Sequence, residues 1–114
     1  MRYVILVYES EATMQARSDP QHQAAYAAYV RALYEAGVGI AGAGLKAATT
    51  ATTLRVTDGK RHVQDGPYAD TKEELGGFFL IDVPDLDKAL EWAARCPSLP
   101  SGVVEVRPAL PPVE

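Results

Sequence analysis

The chain has 114 residues, 47% hydrophobic and 23% charged, the size and make-up of one folded domain, which excludes disorder as its main state. Eleven bases stand against 15 acids with their signs interspersed, for a net charge of −4, so the basic stripe of a nucleic-acid binder is missing. A single cysteine, Cys96, excludes an intrachain disulfide and reads as a small, partly buried thiol.

Tyr3 to Tyr8 is a continuous run of strand-forming residues, apolar on both alternating faces, as in a central strand covered on both sides. From Glu9 to Asp19 the chain is polar and predicts a loop with at most a turn of helix. Asp19-Pro20 is a cap followed by proline at the first helical position. The helix it opens carries the stripe Tyr26, Tyr29, Val30 and Leu33 and closes at Gly37. Val38 to Leu45, with Gly39, Gly42 and Gly44, predicts an extended segment with close backbone approach. Thr52 to Thr57 and Lys60 to Gln64 flank Asp58-Gly59, a two-residue hairpin turn that sets Leu54 opposite Val63 and Arg55 opposite His62.

A turn-rich loop, Asp65 to Glu74, leads into a second doubly apolar strand, Leu75 to Val83. Asp85 then caps a helix with the stripe Leu86, Ala89, Leu90 and Ala93, which Cys96-Pro97 stops. Gly102 to Arg107 is a last strand, and Pro108 to Glu114 an extended tail.

Two strand-helix-strand units predict one α+β domain over residues 1–114: a ferredoxin-like sheet with an inserted hairpin and two helices on one face. Two helices cover one face only, yet the Tyr3–Tyr8 and Phe78–Val83 strands are apolar on both. The uncovered face therefore predicts a face-to-face homodimer. No apolar run approaches the ~18 residues of a membrane span. Acids Glu9 and Glu11 come too early for an export segment, so a cytoplasmic chain with neither a membrane nor a nucleic-acid partner is expected.

The chemistry-bearing residues concentrate after the hairpin. His22, His62 and Cys96 stand at no ligand spacing, so no metal site is expected; the glycines fit no phosphate loop, and no cofactor is implied. Asp65, Lys72 and Glu74 are the candidates for proton transfer, an acid beside a counter-charge in a loop next to a central strand. Arg55, His62 and Tyr68 are candidates for ligand binding, on the basic hairpin face and the loop. The same loop also reads as turn and capping structure, since Asp70 with Glu73 and Thr71 with Glu74 have capping-box spacing. Tyr26, Tyr29 and Tyr34 read mainly as packing residues, although Gly42 and Gly44 opposite them leave room for a pocket into which a phenol projects. Tyr26 joins the ligand-binding candidates for that reason. His22, near the helix start, reads as exposed, and Trp92, off its helix stripe, as partly exposed or in an interface.

The run Asp65-Gly66-Pro67-Tyr68-Ala69-Asp70-Thr71-Lys72-Glu73-Glu74-Leu75-Gly76-Gly77-Phe78-Phe79 resembles the DGPFAETKE signature of the YCII-related, or DGPF-type, proteins, with Tyr68 for its Phe and Asp70 for its first Glu. The likeness extends from the opening strand through Gly42-Ala43-Gly44-Leu45 to Ala89-Leu90-Glu91-Trp92-Ala93. It implies a dimeric α+β barrel without implying a reaction. The wider family carries a helix histidine and an aspartate, whose places here fall at Tyr26 and Glu35. Two functions are expected, the first from the loop residues and the second from the resemblance. One is a small-molecule-binding domain, with a cofactor-free enzyme using an acid–base site in the dimer cleft as its catalytic form. The other is a regulatory or interaction module linked to extracytoplasmic-function sigma factors.

Overall fold

In the computed structural model, which describes residues 1–112, β1 (Arg2–Glu9) alternates along its length, with Tyr3, Ile5, Val7 and Glu9 buried and Val4, Leu6 and Tyr8 half-buried. That period of two is what a strand imposes, and it carries one residue beyond the apolar run to a carboxylate. The polar stretch behind it is more ordered than a loop. Ser10 accepts from the Thr13 N–H at 3.2 Å and caps a short helix, α1 (Glu11–Ala16).

Helix α2 (Pro20–Glu35) starts on the Asp19 cap, which accepts from Gln21 N at 2.9 Å, and Gly37 follows its end with φ 75°. It buries Tyr29 and Leu33 and half-buries Tyr26 and Val30. The edge strand β2 (Gly39–Gly44) follows, then a 3₁₀ turn (Ala48–Thr50) and the hairpin of β3 (Thr52–Thr57) and β4 (Lys60–Asp65). The hairpin turn puts Asp58 at φ 52° and Gly59 at φ 78°, both left-handed as a primed turn needs. Leu54 stands opposite Val63 and Arg55 opposite His62, in the expected register.

Strand β5 (Glu74–Asp82), helix α3 (Leu86–Ala93) and strand β6 (Val103–Pro108) complete the fold. The four long-range strands form one antiparallel sheet in the order β2-β5-β1-β6, the ferredoxin-like arrangement, while β3 and β4 pair only with each other. The expected tail lies in the chain up to residue 112, with residues 113 and 114 outside the described region.

The core lies between one sheet face and the helices: Tyr3, Ile5, Val7 and Ile81 pack with Tyr29 and Leu33 of α2 and with Ala89 and Ala93 of α3. Asp85 caps α3 as expected, but only the alanines of its stripe are buried; Leu86 and Leu90 stay about half exposed. The small side chains let α3 sit close to the sheet and leave the leucines at its rim. Trp92 is half-buried against the core beneath Arg95, 4.4 Å from its ring centroid. Cys96 is buried.

On the opposite sheet face Val4, Leu6, Phe78 and Leu80 form a half-buried apolar stripe that neither long helix reaches. The hairpin also stands apart, with exposed side chains on both of its faces apart from half-buried Thr53. Its projection gives a radius of gyration of 15.8 Å, against about 13 Å for a compact chain of this length.

Candidate functional site

The site starts from an absence of side chains. On the sheet face beneath α2, Val7 lies opposite Gly77 and Gly77 opposite Gly44, so two adjacent strands present hydrogen where side chains would fill the layer. A Cβ placed on Gly44 would meet nothing within 4 Å. Gly77 and Gly42 are fixed also by close approach: a Cβ on Gly77 would lie 2.8 Å from the Ala43 carbonyl, and one on Gly42 2.9 Å from the Phe79 ring and from the Phe78 carbonyl. The result is a cavity of ≈ 350 Å³ between α2 and the β2–β5–β1 floor, with Tyr26, Val30 and Tyr34 above and Phe79 below. Its volume suits a small organic ligand. The space lies where the sequence sets Gly42 and Gly44 against the tyrosine helix, and Tyr26 lines it, but its phenol turns away to Ser98 and does not project into it.

Four polar side chains close one end: Glu9, Arg17, His22 and Gln23. Glu9 is 5% exposed, which a carboxylate tolerates only with a partner. Arg17, the C-cap residue of α1, supplies a bidentate one, Nε to Oε2 and Nη2 to Oε1, both at 2.9 Å. The same guanidinium donates to the Gly76 carbonyl at 3.1 Å and to the Leu45 carbonyl. It thus ties together β1, β5 and the end of β2. The Glu9 hydrogen bonds hold the Arg17 pKa above its ordinary value. Gly76 is the extra residue of a bulge, since Val7 pairs with Gly77 and Tyr8 with Leu75. Neither Glu9 nor Arg17 is among the residues that the sequence singles out, although the alternation Tyr3, Ile5, Val7, Glu9 points the acid inward.

Tyr26 reaches across the core. Its hydroxyl bonds the buried Ser98 hydroxyl and lies 3.4 Å from the Cys96 sulfur, and its ring lies 6.5 Å from that of Phe79 at 18°. Burial first, and then the Cys96 thiol, push the Tyr26 phenol well above its usual pKa. Burial does the same to Tyr29, whose hydroxyl donates to the Trp92 carbonyl at 2.8 Å. Tyr26 therefore offers the cavity its ring, with its hydroxyl already committed. His22 corrects the expectation of exposure: it is half-buried, one turn before Tyr26, with its ring edge-on at 5.1 Å, and it lines the cavity. Spacing by four puts both on one helix face. Glu35, at the end of α2, is exposed.

The other candidates lie elsewhere. Arg55 and Tyr68 are brought together, the guanidinium 4.9 Å from the ring centroid, with His62 across the ladder from Arg55. Tyr68 remains 76% exposed. Asp65 ends β4 opposite Thr52 and is exposed, as is Lys72. Glu74 begins β5 across from Glu9 and accepts from Ala48 N at 2.8 Å. Tyr68, Glu74 and Thr52 border a second, wider hollow of ≈ 790 Å³. Asp70 and Thr71 cap nothing, because the chain from Asp70 to Glu73 is bent without helix, and the Thr71 hydroxyl donates to the Glu73 carbonyl. Among the described residues no three His, Cys, Asp or Glu side chains group as a metal site would need, and no helix is long and apolar enough to cross a membrane.

Comparison with known proteins agrees with this architecture. The YCII-related domain matches residues 1–111. An uncharacterised protein, R00369, of Rhizobium meliloti (strain 1021) is 41% identical over 113 residues, spanning 95% of this chain and 91% of its own. Among solved structures, the chain is similar to 5-chloro-2-hydroxyhydroquinone dehydrochlorinase (TftG) from Burkholderia phenoliruptrix AC1100, in complex with 2,5-dihydroxybenzoquinone. That likeness has a TM-score of 0.53 at 20% identity and covers 92% of this chain and 91% of the other.

Proposed function

The chain belongs to the YCII-related family, and from that premise we propose that it is a small-molecule-binding domain whose ligand occupies the cavity beneath α2. One observation carries the reading: two facing glycines, Gly44 and Gly77, leave an apolar, aromatic-walled space that ends in a cluster of polar side chains. Apolar walls with a few convergent polar groups are the usual make-up of a ligand site. The dehydrochlorinase that shares the fold, solved with a quinone, supports an enzymatic form of the reading. In that form His22 is the proposed proton carrier, because it is the imidazole that lines the cavity beside Tyr26.

The test is an NMR titration of the protein with a panel of small hydroxylated rings. Resonances of His22 and Tyr26 are expected to move, and Gly44→Leu, which fills the space from an unobstructed position, is expected to stay folded and lose the response. Responses that survive Gly44→Leu would overturn the reading.

We further propose that the apolar stripe of Val4, Leu6, Phe78 and Leu80 meets the same stripe of a second copy, since those four side chains are more apolar than a water-facing sheet surface favours. The loop set of Asp65, Lys72 and Glu74, with Arg55, His62 and Tyr68, remains a separate proposal for ligand contact. It is supported by the wider hollow that Tyr68 and Glu74 border. Neither the fold nor the relatives support a sigma-factor association.

A further inference from the structure

We infer that the cavity selects a flat ring bearing neutral hydroxyl, carbonyl or amide groups and discriminates against carboxylates and phosphates; the inference rests on the cavity being the ligand site. An arginine at the end of a small apolar pocket would ordinarily be read as an anion hook. Here the guanidinium is spent. Two of its N–H groups hold the Glu9 carboxylate, one the Leu45 carbonyl and one the Gly76 carbonyl, four of the five that an arginine possesses. The fork of parallel N–H groups by which arginine grips a carboxylate or phosphate is therefore filled from within the chain.

The charge of the lining points the same way. Glu9 and Arg17 cancel as a pair, and the carboxylate is the more deeply buried member, with 6% of its side chain exposed against 32% for arginine. An anion entering the cavity would give up its hydration and approach a buried carboxylate whose counter-charge is already bound. Shape supplies the other half of the specificity. Tyr26 presents its ring, since its hydroxyl is held by Ser98, and Phe79 lies nearly parallel to it at 18°. Flat aromatic walls favour a flat guest. His22 lines the same space beside Tyr26 and presents an imidazole, which hydrogen-bonds neutral oxygen or nitrogen groups.

The experiment compares two ligands of one shape and different charge, 4-hydroxybenzamide and 4-hydroxybenzoate, by calorimetry at neutral pH, with the wild type and Gly44→Leu. The wild type is expected to bind the amide about tenfold or more tightly than the carboxylate, the least effect expected of a like charge in a low-dielectric site. Gly44→Leu is expected to bind neither. Glu9→Gln, which frees the guanidinium fork, is expected to narrow or reverse the preference in molecules that remain folded. Carboxylate binding equal to or tighter than amide binding in the wild type, still abolished by Gly44→Leu, would overturn the charge selectivity and leave the cavity as the ligand site. Binding of neither ligand by folded wild type, or binding that Gly44→Leu leaves intact, would overturn the inference together with the reading on which it rests.

Discussion

Glu9 and Gly76 compete for one space: a Cβ added to Gly76 would lie 2.7 Å from Glu9 Cγ and closer still to the carboxylate. The bulge at Gly76 thus exists with the buried acid, and the acid with Arg17. Gly76→Ala is expected to push the carboxylate out of its bidentate geometry. The loss should be on the order of 3 kcal/mol, the low end for a broken buried pair because Arg17 retains some solvent. Urea denaturation measures it; a loss below about 0.5 kcal/mol, the range of an ordinary surface change, would show that Glu9 relocates freely.

The two phenylalanines of β5 allow the proposed dimer to be tested apart from folding. Phe79 faces the core, with its ring 5.3 Å from that of Tyr29, whereas Phe78 points to the open sheet face. Phe79→Asp is expected to unfold the chain, since an unpaired buried carboxylate costs several kcal/mol. Phe78→Asp is expected to leave a folded monomer, and light scattering beside circular dichroism reads both. A wild type that scatters as a 12.3 kDa monomer at micromolar concentration would sink the dimer.

The loop candidates meet their test in Asp65→Asn, which keeps shape and removes charge. Asp65 is exposed at the end of β4, so stability is expected to change by less than about 0.5 kcal/mol. Weaker binding of the ring panel would support the loop proposal. Unchanged binding would confine the site to the cavity under α2.

Alkaline titration tests the buried phenols. Tyr26 and Tyr29 have pKa values raised in the folded state above the 10.0 of a free phenol, so the folded chain holds protons that the unfolded chain releases. Stability is therefore full below pH 10 and declines above it. Tyrosinate absorbance is expected to show Tyr26 and Tyr29 ionising only as circular dichroism reports unfolding. Ionisation of both phenols in a chain that stays folded would contradict the prediction.

Most of the fold was readable because its signals are local. The Asp19-Pro20 start, the Asp58-Gly59 turn and the Asp85 cap each specify backbone within a few residues. The site was only half readable. Tyrosines facing glycines announced the pocket, but its polar end depends on Arg17 closing over Glu9 from eight positions away, across a stretch whose helix is too short for periodicity to show. His22 reads as exposed from its place near a helix start, whereas its spacing by four from Tyr26 governs where it points. The Asp65–Glu74 loop drew attention by density of polar side chains. Density in sequence says little about convergence, and there the chain bends through its polar residues and leaves most of them in solvent.

The isolation of the β3–β4 ribbon has a consequence on a different timescale. A two-stranded ribbon without a packed face is marginally stable in water, and this one pairs with no strand of the main sheet. Its amide protons are therefore expected to exchange through a local opening well below the free energy that protects β1 and β5. Deuterium uptake between Thr52 and Asp65 is expected to outpace uptake in β1 and β5, and equal protection of the two would show the ribbon held as firmly as the sheet.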